Sequence, residues 1–494
     1  MCKYDEASKD RPDERVGKVR KIYFMRQLLV CSIIWVHYFV CGLCFGAPTV
    51  LIPQIRREAN STLAVDEEMG SWLCSVFGFA AIPWTFIIPL TIRRFGRKIP
   101  YLIVCVNILG VFIALYHSVT PLQILLSEIM QGLNHAANVT VSIIIITEYT
   151  SARYRGVFLT IKSATFFWGV WMSNSIGTFF HWKYIPVCGI VCSVYCLLSL
   201  FWPESPYWLA TRGRFDECRR SHRWLHGDDE QSSLEVENLI ASQVEYDKSR
   251  DSRRQWTFYK VLQITKCGEF YKPVLLSVLM VTQYHLSGKY VCSMYAIDII
   301  KKITKNEGTA YTGMLILDGV TVLGMYVGCS LSKVLRRRTL YIGSSCIGIT
   351  SLFIIALYLY LIKLSVIEER KIVSIALLIA FSVPISCGPM IMTTSIYGEI
   401  IPLRFKTASF LITAFVSEIF STSFLKIAPL IFRTLGIHGA FLFYGLSSGI
   451  CTVLLYVFLP ETKDKTLQEI EGYFKSKEME AKGIEYLTPL QKTS

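Results

Sequence analysis

The sequence predicts an all-α membrane protein with twelve transmembrane helices in two pseudo-symmetric six-helix bundles. Three observations predict it. The 494 residues are 52% hydrophobic and only 18% charged, which are membrane-protein values. The charges gather in short clusters, so that stretches such as 102–116, 184–202, 273–283 and 438–459 contain no Asp, Glu, Lys or Arg. Three link motifs also recur in the same order, six spans apart.

A helix crosses the hydrocarbon core in ~20 residues. Apolar blocks of that order fall near 28–50, 70–92, 100–117, 121–147, 157–180, 184–202, 273–298, 309–332, 340–362, 372–397, 406–432 and 437–459. The first 27 residues are polar, with no apolar core ahead of a small-residue cleavage site, so the first span is expected to direct insertion itself. Lys and Arg are dense before span one, at 93–98, across 203–272, at 333–338 and in the tail. That places both termini in the cytoplasm. The expected domains are a cytoplasmic segment 1–27, a first bundle 28–202, a cytoplasmic linker 203–272 with short amphipathic helices, a second bundle 273–459 and a cytoplasmic tail 460–494. In the tail, "LQEIEGYFKSKEMEAK" reads as a short amphipathic helix. Asn60-Ser61-Thr62 is a glycosylation sequon in the link that this topology puts outside.

The net charge of +14 sits on cytoplasmic segments, where it sets topology and meets anionic lipid, so no nucleic-acid partner is expected. The 16 cysteines lie mostly in apolar blocks, for instance Cys188, Cys192 and Cys196 at one-turn spacing. They read as small packing residues, with no metal site.

The repeat is specific. "RRFGRK" (93–98) follows span two and "VLRRRTL" (334–340) follows span eight. "TEYTSARYRG" (147–156) follows span four and "GEIIPLRFKTAS" (398–409) follows span ten. "WPESPYWL" (202–209) follows span six and "LPETKDKTL" (459–467) follows span twelve. A duplicated six-helix unit with the site at the interface of the halves is the signature of a secondary transporter. In "PESP", Pro203 and Pro206 end the sixth span, since proline lacks the amide hydrogen and clashes with the preceding turn, and Glu204 is left at the cytoplasmic rim.

Together these motifs resemble the sugar porter family of the major facilitator superfamily over residues ~27–475, and within it the insect facilitated trehalose transporters. The resemblance implies the major facilitator fold. It also implies a cytoplasmic gating network of Arg97, Lys98, Glu148, Arg155 and Glu204 in the first half and Arg337, Arg338, Glu399, Lys406 and Glu461 in the second. The acid that precedes the basic pair in the family is here Arg93 in one half and Lys333 in the other, and Arg336 replaces a glycine.

The family's seventh helix carries Q-Q-L-S-G and a tyrosine. "QYHLSGKYVCSMY" (283–295) keeps Leu286, Ser287, Gly288 and Tyr295, with Tyr284 and His285 at the glutamine positions, Gln283 one place earlier and Tyr290 at an asparagine position. At helical spacing Gln283, Ser287, Tyr290 and Met294 share a face that would line a cavity. Gln, His, Tyr and Ser supply the donors and acceptors that sugar hydroxyls need. By alignment of the motifs, Thr394 stands at the family's cavity tryptophan and Ser163 at its helix-five glutamine. The candidate substrate-binding residues are therefore Gln283, Tyr284, His285, Ser287, Tyr290, Tyr295, Ser163 and Thr394. Cys44 occupies the aspartate position of proton-coupled members, which favours facilitated movement, while Glu128 and Glu418 are candidate coupling residues. Lys289 must snorkel, pair with an acid or face water.

The function that follows is alternating-access transport of a small neutral sugar or polyol by facilitated diffusion. The chain is expected to work as a monomer in the plasma membrane, with the lipid bilayer and a small-molecule substrate as its only partners and no cofactor. Two other readings stay open: a non-transporting sugar sensor, and a carrier of altered, cationic substrate suggested by Glu128 and Glu418. No H-E-x-x-H, Walker loop or G-x-S-x-G is present, so neither an enzyme nor a catalytic residue is expected.

Overall fold

A computed structural model describes residues 12–58, 65–251, 268–401, 406–463, 470 and 473–474. Asn60 lies outside them, as does the expected tail helix apart from residues 470, 473 and 474, which are helical. The described backbone is helical, and ten of its helical segments are long and apolar enough to cross a membrane. In chain order the first half contains α1 (Pro12–Glu58), α2 (Glu67–Phe95), α3 (Lys98–His117), α4 (Pro121–Val139), α5 (Val141–Tyr149), α6 (Ala152–Phe179) and α7 (Tyr184–Cys196). Three helices of the linker follow, α8 (Pro206–Thr211), α9 (Phe215–His226) and α10 (Glu230–Asp251). The second half contains α11 (Gly268–Leu286), α12 (Lys289–Met294), α13 (Ala296–Thr304), α14 (Glu307–Val334), α15 (Arg337–Lys363), α16 (Lys371–Cys387), α17 (Pro389–Ile400), α18 (Lys406–Thr434) and α19 (Gly436–Phe458).

The other two crossings fall short of that test for reasons visible in the sequence. α6 is diluted by Lys162, Ser173, Asn174, Ser175 and Thr178. The seventh crossing is cut into α11, α12 and α13: Gly288 takes a left-handed backbone with φ 73° between the first two, and Tyr295, with φ −105° and ψ 23°, leaves helical geometry between the last two. A side chain at Gly288 would also run into the Tyr444 ring, so glycine is needed for both backbone and space. Local chemistry sets several helix ends. Thr120 and Gln123 form a capping box at α4 with Pro121 at its first turn, and Ser205 caps α8 ahead of Pro206. The described cysteines are all free thiols.

The chain separates into two compact units, Met1–Ala47 with Ala80–Arg254 and Pro48–Phe79 with Gln255–Ser494. The far ends of α1 and α2 therefore belong to the second unit. Thr49 Oγ1 donates to the Met294 carbonyl at 3.0 Å, Arg57 pairs with Glu307 at 2.5 Å, and Lys426 Nζ reaches Ser71 Oγ at 2.8 Å while lying 4.0 Å from the Trp72 ring centroid.

In the first unit α9 is docked on the start of α1. Leu225 joins the apolar core formed by α1, α3 and α5. Gln27 Nε2 donates to the Leu225 carbonyl at 3.1 Å and lies 3.4 Å from His226 Nδ1, while Gln27 Oε1 accepts from the Ser151 amide at 3.1 Å. Since Gln27 presents its donor, His226 Nδ1 must be the acceptor and the ring neutral. His222 stacks on His226 at 4.6 Å between ring centroids. Burial holds both imidazoles below their ordinary range, His226 down to about 4, with the neighbouring His222 and Arg155 pushing the same way and Asp229 opposing.

A pH dependence follows. Burial favours the neutral ring, so the contribution of His226 to docking is complete above its ordinary pKa near 6.5 and is lost as pH falls toward about 4, by roughly 1 kcal/mol per pH unit. Amide hydrogen exchange in residues 215–226 should accelerate between about pH 7 and pH 5, and His226→Gln should flatten that dependence. Equal exchange at both ends of the range would show that the histidine pair does not govern docking.

Candidate functional site

The break at Gly288 decides which side chains of the seventh crossing can meet a solute. Gln283 lies before it on α11 and is fully buried. Its Nε2 donates to Ser448 Oγ at 3.1 Å, Thr452 Oγ1 at 3.4 Å and Ser345 Oγ at 3.5 Å, and its Oε1 accepts from the Tyr341 hydroxyl at 2.9 Å. Every polar atom of Gln283 is thus engaged by α15 and α19. Ser287 Oγ donates to the Tyr284 carbonyl of its own helix at 2.6 Å, and Met294 is buried beside Thr49. The common face expected for Gln283, Ser287, Tyr290 and Met294 is absent, because a left-handed residue between them resets the helical phase.

A different polar cluster forms instead. His285 Nε2 lies 3.0 Å from Ser417 Oγ on α18, and its ring meets Tyr290 edge-on at 5.8 Å and Tyr284 at 5.3 Å. His285 Nδ1 is buried without a hydrogen-bond partner in the protein. Glu418, next to Ser417, is buried as well. Tyr295 stands apart, its hydroxyl donating to the Leu425 carbonyl at 3.0 Å. Thr394 lies on α17, and its side chain is outside the described set. Lys289 neither snorkels nor faces water: its Nζ is buried and donates to Thr321 Oγ1 and Ser382 Oγ, each at 2.6 Å. Buried Asp318 sits one turn before Thr321 on α14.

In the first unit Ser163 is exposed and donates back to the Leu159 carbonyl at 3.3 Å. Its neighbour Lys162 is buried with Nζ 4.5 Å from the Tyr38 ring centroid, an arrangement that replaces part of a lost water shell. Glu128 is buried on α4.

The rim residues assemble into two similar constellations, one in each unit. In the first, Glu204 caps the start of α3: its Oε1 accepts from the Arg97 amide at 2.8 Å and its Oε2 from the Lys98 amide at 3.2 Å. Gly96, with φ 95°, leaves room for that carboxylate. The Arg97 guanidinium holds Glu148 in a two-bond fork at 2.8 and 2.7 Å, both side chains only 13% exposed, and Ser205 Oγ donates to Glu148 Oε2 at 2.5 Å. In the second unit, Glu461 accepts from the Arg337 and Arg338 amides at 3.1 and 3.3 Å at the start of α15, and Arg337 pairs with Glu399. Arg155 Nη2 donates to the Thr150 carbonyl at 3.3 Å, and among the described residues it pairs with no acid. Lys406 opens α18, with its side chain outside the described set.

The link motifs of the sequence point to this rim. Ser205, Tyr341, Ser345, Ser417, Ser448 and Thr452 are partners that sequence reading missed. Their signal was weak, single hydroxyls inside apolar blocks, although Ser448 and Thr452 share the one-turn spacing of a face.

With this geometry in view, the profile of the sugar (and other) transporter family matches residues 30–474. The chain belongs to that family. Among curated proteins it is 22% identical to the facilitated trehalose transporter Tret1 of Apis mellifera ligustica over 94% of this chain and 92% of that one. It is also 22% identical to Tret1 of Drosophila erecta, of whose length it spans 54%. Among solved structures it resembles the inward-open xylose transporter XylE from E. coli, with TM-score 0.71, 14% identity and coverage of 92% of this chain and 100% of that one. The fold is therefore the major facilitator fold, twelve transmembrane helices in two six-helix bundles.

A buried two-bond Arg–carboxylate fork contributes more than an exposed pair, and its removal strands a charge. Glu148→Gln should keep surface expression near normal while sugar uptake falls by roughly tenfold or more. Unchanged uptake would exclude Glu148 from the gating role expected of it.

Proposed function

We infer that this chain carries a small neutral sugar or polyol across the plasma membrane by alternating access, as facilitated diffusion, acting as a monomer with both termini cytoplasmic. Membership of the sugar (and other) transporter family over nearly the whole chain carries the transport reading. The relatives matched are named as transporters of trehalose and xylose. They favour neither a sensor, nor a carrier of cations, nor an enzyme.

The His285, Tyr284, Tyr290 and Ser417 cluster supports a polyhydroxylated substrate, because it offers donors and acceptors without a surplus of one charge. Gln283, Ser287, Tyr295 and Thr394 complete the proposed lining or its support in the second unit, and Ser163 is the candidate in the first. Facilitated diffusion is supported by α1, which has no Asp or Glu between Leu28 and Arg57 and so lacks a carboxylate to carry a proton through the first bundle. Glu128 and Glu418 are the remaining candidates for coupling.

Oocytes expressing the chain should take up a labelled neutral sugar or polyol, from a panel of glucose, trehalose, polyols and organic cations, saturably and without accumulation against its gradient. A protonophore should not alter the rate. His285→Ala with Tyr290→Ala should reduce uptake by about 10² or more while expression persists. Accumulation that collapses with the proton gradient, and is lost in Glu418→Gln, would replace diffusion with coupling. Uptake of organic cations alone would overturn the substrate class.

A further inference from the structure

The facing sides of α1 and α4 in the first unit carry an unusual stripe. On α4, Glu128, Gln131, Asn134 and Asn138 occur at helical spacing and are each at most 5% exposed. Glu128 Oε2, Gln131 Oε1, both polar side-chain atoms of Asn134 and Asn138 Oδ1 are buried with no hydrogen-bond partner in the protein. Across from them α1 presents Cys44 beside Glu128 and Cys41 beside Asn138, neither of which is a cation or a strong donor. Among the described residues no Lys, Arg or His pairs with Glu128. The gating, docking and solute clusters use none of these atoms.

A buried carboxylate with no partner is among the most expensive arrangements in a protein, and unpartnered buried amide oxygens add to the cost. One ligand class relieves both. A carboxylate and amide oxygens are hard donors suited to hard cations, and a single carboxylate neutralises a single positive charge. A divalent ion would leave a net charge buried. Among the described residues no three His, Cys, Asp or Glu side chains gather as they would for a transition metal. Side chains on a helix lean toward its N-terminus, so Gln131 and Asn134, on the two following turns, lean toward Glu128. A proton on Glu128 would supply one O–H donor, enough for a single amide oxygen, and leave the other amide oxygens without donors.

We propose that the first unit contains an alkali-cation site, with Na⁺ held by the Glu128 carboxylate and by the side-chain oxygens of Gln131 and Asn134. The ion is resident: it neutralises Glu128 and stiffens the α1–α4 contact, and it does not travel with the solute. The site does not depend on the transport reading, and its test measures binding and stability, not uptake.

The full chain purified in detergent is heated in NaCl and in choline chloride at equal ionic strength and constant pH. A ligand bound only by the folded state raises the melting temperature by mass action. The expected result is a saturable rise of roughly 2 °C or more with Na⁺, together with retention of ²²Na⁺ on the protein. Both responses should be lost in Glu128→Gln and weakened in Gln131→Ala and Asn134→Ala. The two alanine variants keep the test decisive should Glu128→Gln fold poorly. Identical melting in the two salts would overturn the site. So would a Na⁺ response that survives all three substitutions, or stabilisation that follows pH and is indifferent to Na⁺.

Discussion

The rim formed by the link motifs depends on one electrostatic constraint: every helix that ends there leaves unpaired carbonyls or amides at a surface where water and lipid headgroups compete for them. The chain answers in the same way twice. At the end of α2, Arg212 donates to the Arg93 and Arg94 carbonyls; at the end of α14, Lys463 donates to those of Lys333 and Val334. Where the next helix begins, Glu204 or Glu461 takes the exposed amides. A cation thus covers each negative helix end and a carboxylate each positive one. The Arg97–Glu148 and Arg337–Glu399 pairs then fix the neighbouring crossing to that corner. Repetition of the motifs is therefore repetition of a local solution for helix ends, which explains why acids and bases recur at these places although the spans between them have diverged.

The same constraint shapes the seventh crossing. A break inside a bilayer is tolerated only where protein groups satisfy the freed backbone and polar atoms. Here Gly288 supplies the left-handed turn, and the Cys292 amide resumes the hydrogen-bond ladder by donating to the Gly288 carbonyl at 2.8 Å. Lys289, the first residue past the break, is anchored between α14 and α16 by Thr321 and Ser382. The second segment is thereby oriented independently of the first. On the first segment Gln283 can serve as a packing anchor against α15 and α19 while His285 reaches Ser417 on α18, and from beyond the break Tyr290 meets the His285 ring.

This division explains what the sequence could and could not reveal. Spans are legible because burial in lipid demands long charge-free runs, and the rim motifs because charges there are dense and repeated. The helical face assigned to Gln283, Ser287, Tyr290 and Met294 assumed a continuous 3.6-residue period, which a single αL glycine cancels. The first span, read as 28–50, continues to Glu58 because Arg56 and Arg57 find partners at the far end, Arg56 on the Val65 carbonyl at 3.0 Å and Arg57 on Glu307. Hydropathy alone ends the span at the first charges. The hydroxyl partners of Gln283 and His285 were invisible because a serine in an apolar block looks like any small packing residue until its neighbour is known.

Buried charge is the remaining test of consistency, since each such group costs several kcal/mol unless compensated. Arg97 and Glu148 compensate each other. Lys162 lies over the face of Tyr38, and Lys289 has two hydroxyls and the nearby Asp318. In each case the sequence supplies a partner from a different helix, so the charge also locks a helix contact. Glu128 alone among these has a buried carboxylate oxygen with no hydrogen-bond partner in the protein. A fold that compensates the others so locally would gain nothing from one bare carboxylate, and the unpartnered amide oxygens on the same stripe mark where its counter-charge belongs.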